Sequence, residues 1–165
     1  MSRRKGFSLV ELLIVLAVIA ALIATITPVA MNAIKKAKAT QVAQNLKTLA
    51  SALENAAYVN GVESGSVNDI AGLKDLGRDI DGTVYNVYYE EHSATKGKFK
   101  VWVVTKADVN KAEVDKIINT LPSGQNKADW STIKNDAPGT RLTNTSWTPN
   151  DTDSVMYYEF DFTVY

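Results

Sequence analysis

Residues Phe7 to Met31 read FSLVELLIVLAVIAALIATITPVAM, an almost uninterrupted apolar run. Glu11 is its only strongly polar side chain. About twenty apolar residues are what an α-helix needs to cross roughly 30 Å of hydrocarbon. A buried core helix is the alternative, but one domain of 165 residues rarely encloses a helix that is apolar all round. The stretch therefore predicts a membrane-spanning helix over residues 7–31.

Basic residues flank this apolar run on both sides. They are Arg3, Arg4 and Lys5 before it, and Lys35, Lys36 and Lys38 after it. By the positive-inside rule, the first group holds the N-terminus in the cytoplasm and the rest of the chain is exported. A cleaved secretory signal is the alternative, but residues 24–28 form a poor cleavage site and the helical pattern continues through them. The second group favours a solvated membrane anchor over a nucleic-acid patch, since 18 basic residues balance 18 acidic ones overall.

The segment KGFSLVEL, residues 5–12, resembles the class III signal of type IV pilins and their relatives. The specific resemblance extends from Arg3 to about Pro28. It implies that residues 1–6 are a leader peptide, which a membrane-embedded prepilin peptidase removes between Gly6 and Phe7. It also implies N-methylation of Phe7 and retention of the apolar helix.

Two residues of the helix have expected roles in assembly. A carboxylate at Glu11 costs several kcal/mol in a bilayer unless it is paired or protonated. The family resemblance implies that the Phe7 amine of a neighbouring subunit pairs with it and sets the register. Pro28 predicts a kink, because it removes a backbone donor and crowds the preceding turn. In relatives the corresponding stretch can melt and extend, although Ala20 stands where many of them carry glycine; a simple bend in a membrane helix is the alternative.

Residues 32–58 predict an amphipathic continuation of the same helix. Val42, Leu46, Leu49 and Leu53 recur at helical spacing among polar residues, and Asn60-Gly61 is a stop signal. The apolar half would then protrude, and the amphipathic half would pack on a head over residues 59–165. The expected fold class is α+β, a pilin fold with a small antiparallel sheet.

The head divides by sequence pattern into four predicted parts. A connecting αβ-loop covers residues 59–83 and holds a short helix capped by Ser66 and Asp69 and closed by Gly77. Strands follow at 84–91 and 98–105, and then a second helix near 107–121 capped by Thr105. A polar loop spans 123–153, and a strand with alternating pattern spans 155–164. Most relatives fasten this C-terminal region with a disulfide, but the chain has no cysteine, so strand pairing must hold it.

Enzymatic and cofactor chemistry finds no support in the sequence. The chain has no cysteine and one histidine, His92, and it lacks a phosphate-binding glycine loop and a plausible catalytic triad. We therefore expect no catalytic activity and no cofactor. Weak calcium candidates are Asp79 and Asp81, with Asp151 and Asp153 as a second pair, but turn chemistry explains both.

Three classes of function remain open. The first is a structural subunit of a type IV pilus, stored in the membrane as a single-pass protein and then polymerised into an extracellular filament for adhesion, motility or DNA uptake. The second is a pseudopilin of a type II secretion or competence system. The third is an ordinary anchored binding or enzyme domain with a similar N-terminus. The resemblance implies as partners further copies of the chain, the prepilin peptidase and methyltransferase, the pilus assembly platform and motor, and membrane lipids; nucleic acid is not expected.

Overall fold

A computed structural model describes residues 7–70, 72–118, 128–129, 140–141 and 154–165. The chain divides into two compact units, Met1–Ala37 and Lys38–Tyr165. Helix α1, Leu9–Asn60, contributes residues to both of them. The long N-terminal helix and the antiparallel sheet that follows it confirm the predicted α+β pilin fold.

The described elements after α1 are two short helices and seven strands. The helices are α2 (Leu73–Leu76) and α3 (Lys111–Val114), and the strands are β1 (Val62–Glu63), β2 (Ser66–Val67), β3 (Tyr85–Glu91), β4 (Lys98–Thr105), β5 (Ala128–Asp129), β6 (Thr140–Arg141) and β7 (Ser154–Thr163).

The first unit consists, among its described residues, of the N-terminal part of α1. The apolar side chains of this part are exposed, as the pattern of an all-round apolar helix predicts. Pro28 lies inside the helix, where it donates no backbone hydrogen bond, so the carbonyl of Ala24 lacks its usual partner. The kink expected at Pro28 stays a prediction.

In the second unit, α1 buries one face and exposes the other. Its buried residues follow a spacing of three and four: Ala39, Val42, Ala43, Leu46, Leu49, Ala50, Leu53 and Ala57. The helix ends at Asn60, two residues beyond the predicted end. Gly61 takes the left-handed conformation (φ +76°), and its N–H donates to the carbonyl of Ala57 at 3.1 Å. The predicted stop signal therefore acts as a glycine C-cap.

The main sheet is antiparallel, with strand order β5-β7-β4-β3-β6. Strand β4 agrees with its predicted bounds, β3 begins one residue later than predicted, and β7 both begins and ends one residue earlier than predicted. Pairing places Phe99 opposite Phe162 and Val101 opposite both Tyr89 and Phe160. The alternating pattern therefore sorts these side chains to the inner face, where they join the buried face of α1 in one hydrophobic core.

The opposite face of the sheet is buried at one end and charged at the other. Trp102 and Val104 are fully buried, and Tyr88 and Tyr157 nearly so. At the charged end, lysines of β4 form diagonal ion pairs with acidic residues of β7.

The loop after α1 differs from its prediction. Ser66, expected to cap a helix, lies in the hairpin β1–β2, whose turn residues Ser64 and Gly65 both have positive φ (52° and 79°). This is the conformation of a tight type I′ turn. Helix α2 begins later, at Leu73, where the N–H of Gly72 donates to Asp75 Oδ2 at 2.9 Å. Gly77 follows its last residue, as predicted.

The second predicted helix is shorter than expected and starts later. Asn110 caps α3, because its Oδ1 accepts from the N–H of Ala112 at 2.9 Å. Thr105 does not cap this helix, because it is the last residue of β4 and pairs with Tyr85. Its hydroxyl accepts from the N–H of Ala107 instead. The predicted end of the helix at residues 119–121 and the polar loop of residues 123–153, apart from β5 and β6, lie outside the described residues.

Candidate assembly site

The N-terminus of α1 brings Ser8 and Glu11 together. Glu11 Oε2 accepts from the N–H of Ser8 at 2.9 Å, and Ser8 Oγ accepts from the N–H of Val10 at 3.3 Å. The Glu11 bond is half of a capping box, while Ser8 Oγ accepts from the second helical residue instead of the third; together they satisfy backbone donors that the first turn of a helix leaves free. The Ser-x-x-Glu spacing before an apolar run is the sequence signal for this cap, which the predictions above did not include.

The second carboxylate oxygen of Glu11, Oε1, can still accept a hydrogen bond or an ion-pair contact from another group. No hydrogen bond to Glu11 Oε1 occurs among the residues that the structure describes. Phe7, four residues before Glu11, is 81% exposed. The residue that follows the predicted cleavage position is thus accessible, while Gly6 itself lies outside the described residues.

The apolar part of α1 presents a continuous hydrophobic surface. Its exposed large side chains are Leu9, Val10, Leu12, Leu13, Ile14, Val15, Leu16, Val18, Ile19, Leu22, Ile23, Ile26, Val29, Met31 and Ile34. Among the described residues, α1 is the one helix long and apolar enough to cross a membrane, and none of its most apolar window is buried. Folded domains rarely leave so many neighbouring apolar side chains uncovered unless lipid or another protein covers them.

Two threonines close to Pro28 donate hydrogen bonds from their hydroxyls to backbone carbonyls of the helix. Thr27 Oγ1 donates to the carbonyl of Ile23 at 2.7 Å, and Thr25 Oγ1 donates to that of Leu22 at 2.9 Å. Such bonds to preceding carbonyls keep hydroxyl groups satisfied inside an apolar helix. Both threonine hydroxyls therefore have a hydrogen-bond partner within the apolar helix, close to Pro28, which lacks a backbone N–H.

The basic flank after the apolar run is exposed at Lys35, Lys36 and Lys38. The flank before it, Arg3, Arg4 and Lys5, lies outside the described residues. The membrane role of both flanks stays a prediction.

The C-terminal strand is held without a disulfide by pairing and by a charge ladder, which consists of Lys98, Lys100, Glu159 and Asp161. Lys98 Nζ lies 3.1 Å from Asp161 Oδ2, and Lys100 Nζ lies 2.9 Å from Glu159 Oε1. Trp102 Nε1 donates to Glu159 Oε2 at 3.0 Å, and Lys100 Nζ lies 5.2 Å from the centre of the Trp102 ring. The hydrogen bond with Glu159 raises the pKa of Lys100.

A further contact ties the same strand to α1. The hydroxyl of Tyr58 donates to the carbonyl of Thr163 at 2.8 Å, and the ring of Tyr58 lies 6.3 Å from that of Phe162. Beyond the strand, the N–H of Val164 donates to the carbonyl of Gly97 at 2.8 Å. Strand β7 and the residue after it are therefore held by β4, by α1 and by the connection between β3 and β4.

The calcium candidates serve as turn residues where the structure describes them. Asp81 Oδ1 accepts from the N–H of Thr83 at 2.8 Å and from its hydroxyl at 2.6 Å. These bonds lower the pKa of the Asp81 carboxyl. Within the described ranges, no group of three histidine or acidic side chains could hold a metal ion. Asp151 and Asp153 lie outside those ranges.

Comparison with known families agrees with the geometry of the N-terminus. The prokaryotic N-terminal methylation motif matches residues 1–27, the stretch that contains Gly6, Phe7 and Glu11. Searches of curated proteins and of solved structures gave no match to this chain.

The N-terminal methylation motif over residues 1–27 and the α+β fold together support a type IV pilin-like protein. Proteins of this family are structural, and the motif implies processing by a prepilin peptidase. An apolar N-terminal helix behind such a signal is consistent with membrane anchoring before assembly. The motif is common to pilins and pseudopilins.

Proposed function

We propose that the chain is a structural subunit of a type IV pilus, which polymerises through the N-terminal part of α1. The observation that supports this best is the exposed apolar surface of that part, which carries one carboxylate, Glu11. Before assembly, lipid covers this surface, and Arg3, Arg4 and Lys5 hold the N-terminus in the cytoplasm while the head is exported. After cleavage between Gly6 and Phe7, identical helices cover it in an extracellular filament.

Transfer from lipid to a bundle of identical helices changes the hydrophobic free energy little, because hydrocarbon and leucine side chains are similarly apolar. Packing and polar contacts therefore have to direct the transfer. Glu11 supplies such a contact: Oε2 caps its own helix, and Oε1 faces the Phe7 ammonium of the next subunit. An opposite charge in a medium of low dielectric compensates a carboxylate that would otherwise be costly to bury.

Variants at two positions separate the capping role of Glu11 from its charge. Glu11→Gln keeps an oxygen that can accept from the N–H of Ser8 but removes the charge, whereas Ser8→Ala keeps the charge and removes one capping bond. We expect Glu11→Gln to be cleaved at Phe7 normally and to give at most a tenth of the wild-type filament yield. Ser8→Ala should assemble within about threefold of wild type, since one cap bond contributes about 1 kcal/mol.

Filament yield after shearing, measured by immunoblot beside the membrane-bound pool, decides between the outcomes. If Glu11→Gln gave the wild-type yield of filaments, assembly would not depend on pairing between the Glu11 carboxylate and the Phe7 ammonium. The wild-type chain could also be cleaved before Phe7 but remain in the cell envelope and be missing from the pili. That result would favour the pseudopilin function instead.

A further inference from the structure

One edge of the main sheet is only partly paired. Strand β7 (Ser154–Thr163) has β4 on one side along its length, but on its other side β5 pairs with Ser154 and Val155 alone. Beyond these two residues, no strand among the described residues lies on that side of β7. We call residues 159–163 on this side the open edge.

The ladder between β7 and β4 shows which backbone groups point to the open edge. In an antiparallel sheet, alternate residues of a strand bond to the neighbour on one side, and the residues between them face the other side. The N–H of Val164 donates to the carbonyl of Gly97, so the even-numbered residues of β7 face β4. The residues whose N–H and C=O groups face the open edge are therefore Glu159, Asp161 and Thr163.

Most of these backbone groups have no partner in the described part of the chain. The carbonyl of Thr163 accepts from the hydroxyl of Tyr58. The three N–H groups and the carbonyls of Glu159 and Asp161 make no hydrogen bond to a residue that the structure describes. Such a row of donors and acceptors is the template on which an extended peptide adds as a further strand.

The side chains along the open edge differ between the two faces of the sheet. On the inner face, Tyr158 and Phe160 are half-buried, and their stacked rings lie 5.6 Å apart. On the outer face, Glu159 and Asp161 carry carboxylates, and the side chain of Asp161 is 47% exposed. An added strand would lay its alternate side chains beside these two rows. The open edge therefore favours apolar residues at every second position and basic residues between them.

Two segments of the chain itself fit this edge poorly. Pairing of β7 with β7 of a second copy about a two-fold axis would set Glu159 and Asp161 against the same carboxylates, and like charges on opposed residues are destabilising. Continuation of the β5 register towards the N-terminus would set Pro122 opposite Asp161. Proline has no N–H to donate there.

We propose that the open edge binds an extended segment of a different polypeptide, which adds antiparallel to β7 as β5 does. Apolar residues of this segment cover Tyr158 and Phe160, and basic residues lie beside Glu159 and Asp161. Backbone hydrogen bonds supply affinity, and the alternating side chains supply specificity. The site lies on the sheet, so it does not depend on polymerisation through the N-terminal part of α1.

Backbone-methylated peptides test the proposal. The probe is a fluorescent synthetic peptide of alternating valine and lysine, and its binding to the full-length chain in detergent is measured by anisotropy. In antiparallel addition, the residues opposite Glu159 and Asp161 point their N–H groups at β7, and these residues are the lysines. N-methylation of the lysine backbone nitrogens should weaken binding at least tenfold, whereas N-methylation of the valine nitrogens should change it less than threefold.

Three results would overturn the proposal. One is equal binding of the two methylated peptides, because affinity would then not come from an added strand. Another is the absence of saturable binding of the unmethylated peptide below about 1 mM. The third is equal binding of a peptide in which glutamate replaces lysine, since the acidic side chains of the edge would then play no part.

A pair of variants supplies the matched test on the protein side. Asp161→Pro removes an N–H that faces the open edge, and the ladder with β4 does not use this group. Asp161→Ala removes the same carboxylate and keeps the N–H. We expect Asp161→Pro to bind the valine–lysine peptide at least fivefold more weakly than Asp161→Ala; equal affinities would contradict the proposal. Denaturation midpoints show whether both variants fold, and the methylated peptides decide the question if Asp161→Pro does not.

Discussion

Single residues determine where the elements of this protein end. Gly97 closes the connection between β3 and β4 in the left-handed conformation, with φ of +80°. A Cβ atom at this position would lie 2.3 Å from the carbonyl oxygen of Val164, which is closer than two such atoms can approach. Gly61 has a similar φ, but a Cβ atom there would meet only Asn68 Nδ2 at 3.9 Å. The two glycines thus share a backbone requirement and differ in the space around them.

Alanine at these two positions should therefore have unequal effects. Gly61→Ala should lower the free energy of unfolding by about 1 kcal/mol, the cost of a left-handed alanine. Gly97→Ala should lower it by about 3 kcal/mol, because the clash with Val164 adds to that cost. Chemical denaturation of the detergent-solubilised chain, followed by tryptophan fluorescence, measures both changes. Equal decreases in the free energy of unfolding would show that the Val164 carbonyl moves away from the new Cβ atom at no cost in stability.

At the scale of elements, the strands of the sheet were predictable because of their burial. In β7, alternate residues enter one core, and this produces the period of two that its sequence shows, whereas β4 is buried on both faces at one end and was predicted from its β-branched and aromatic residues. The hairpin β1–β2 was missed because two-residue strands are too short to show any period. Thr105 was mistaken for a helix cap because its pairing with Tyr85 depends on a residue twenty positions earlier. Capping preference depends on a few neighbouring residues, whereas strand pairing depends on residues that are distant in the sequence.

The charge ladder between β4 and β7 leads to a prediction about stability. Lys100 pairs with Glu159 and lies over Trp102, whereas the ammonium of Lys98 pairs, within the described ranges, with Asp161 alone, and both members of that pair are more exposed. Lys100→Met should lower the free energy of unfolding by about 1 kcal/mol, and Lys98→Met by less than 0.5 kcal/mol, as is usual for an exposed pair. Denaturation midpoints of the two variants at pH 7 test this difference. A larger loss from Lys98→Met would contradict the assigned roles.

The dependence of stability on alkaline pH follows from two groups. The hydrogen bond with Glu159 raises the pKa of Lys100, and burial raises the pKa of Tyr85. The folded chain therefore holds these protons more tightly than the unfolded chain, whose lysine and tyrosine release them near pH 10. This contribution to stability is complete below about pH 10 and is lost as pH rises through the folded-state values. Lys100→Met should make the alkaline decline shallower; an unchanged slope would contradict the contribution of Lys100.

At the scale of the whole molecule, the two units differ in what they require of their surroundings. The second unit buries a core between α1 and the sheet, while the described part of the first exposes apolar side chains along its length. The apolar part of α1 was predictable from the sequence, because a run of about twenty apolar residues has the length of a membrane-spanning helix. The cap formed by Ser8 and Glu11 was harder to predict, since the same glutamate also fits an intersubunit ion pair. One carboxylate with two oxygens can serve in both roles.

Mass spectrometry with N-terminal sequencing of filaments sheared from native cells tests both the cleavage before Phe7 and the polymerisation of the chain. We expect this chain to be a major component of the filaments and to begin at N-methylated Phe7. A chain that retains Met1 or Ser2 as its first residue, and that is missing from the filaments, would contradict both the processing and the polymerisation.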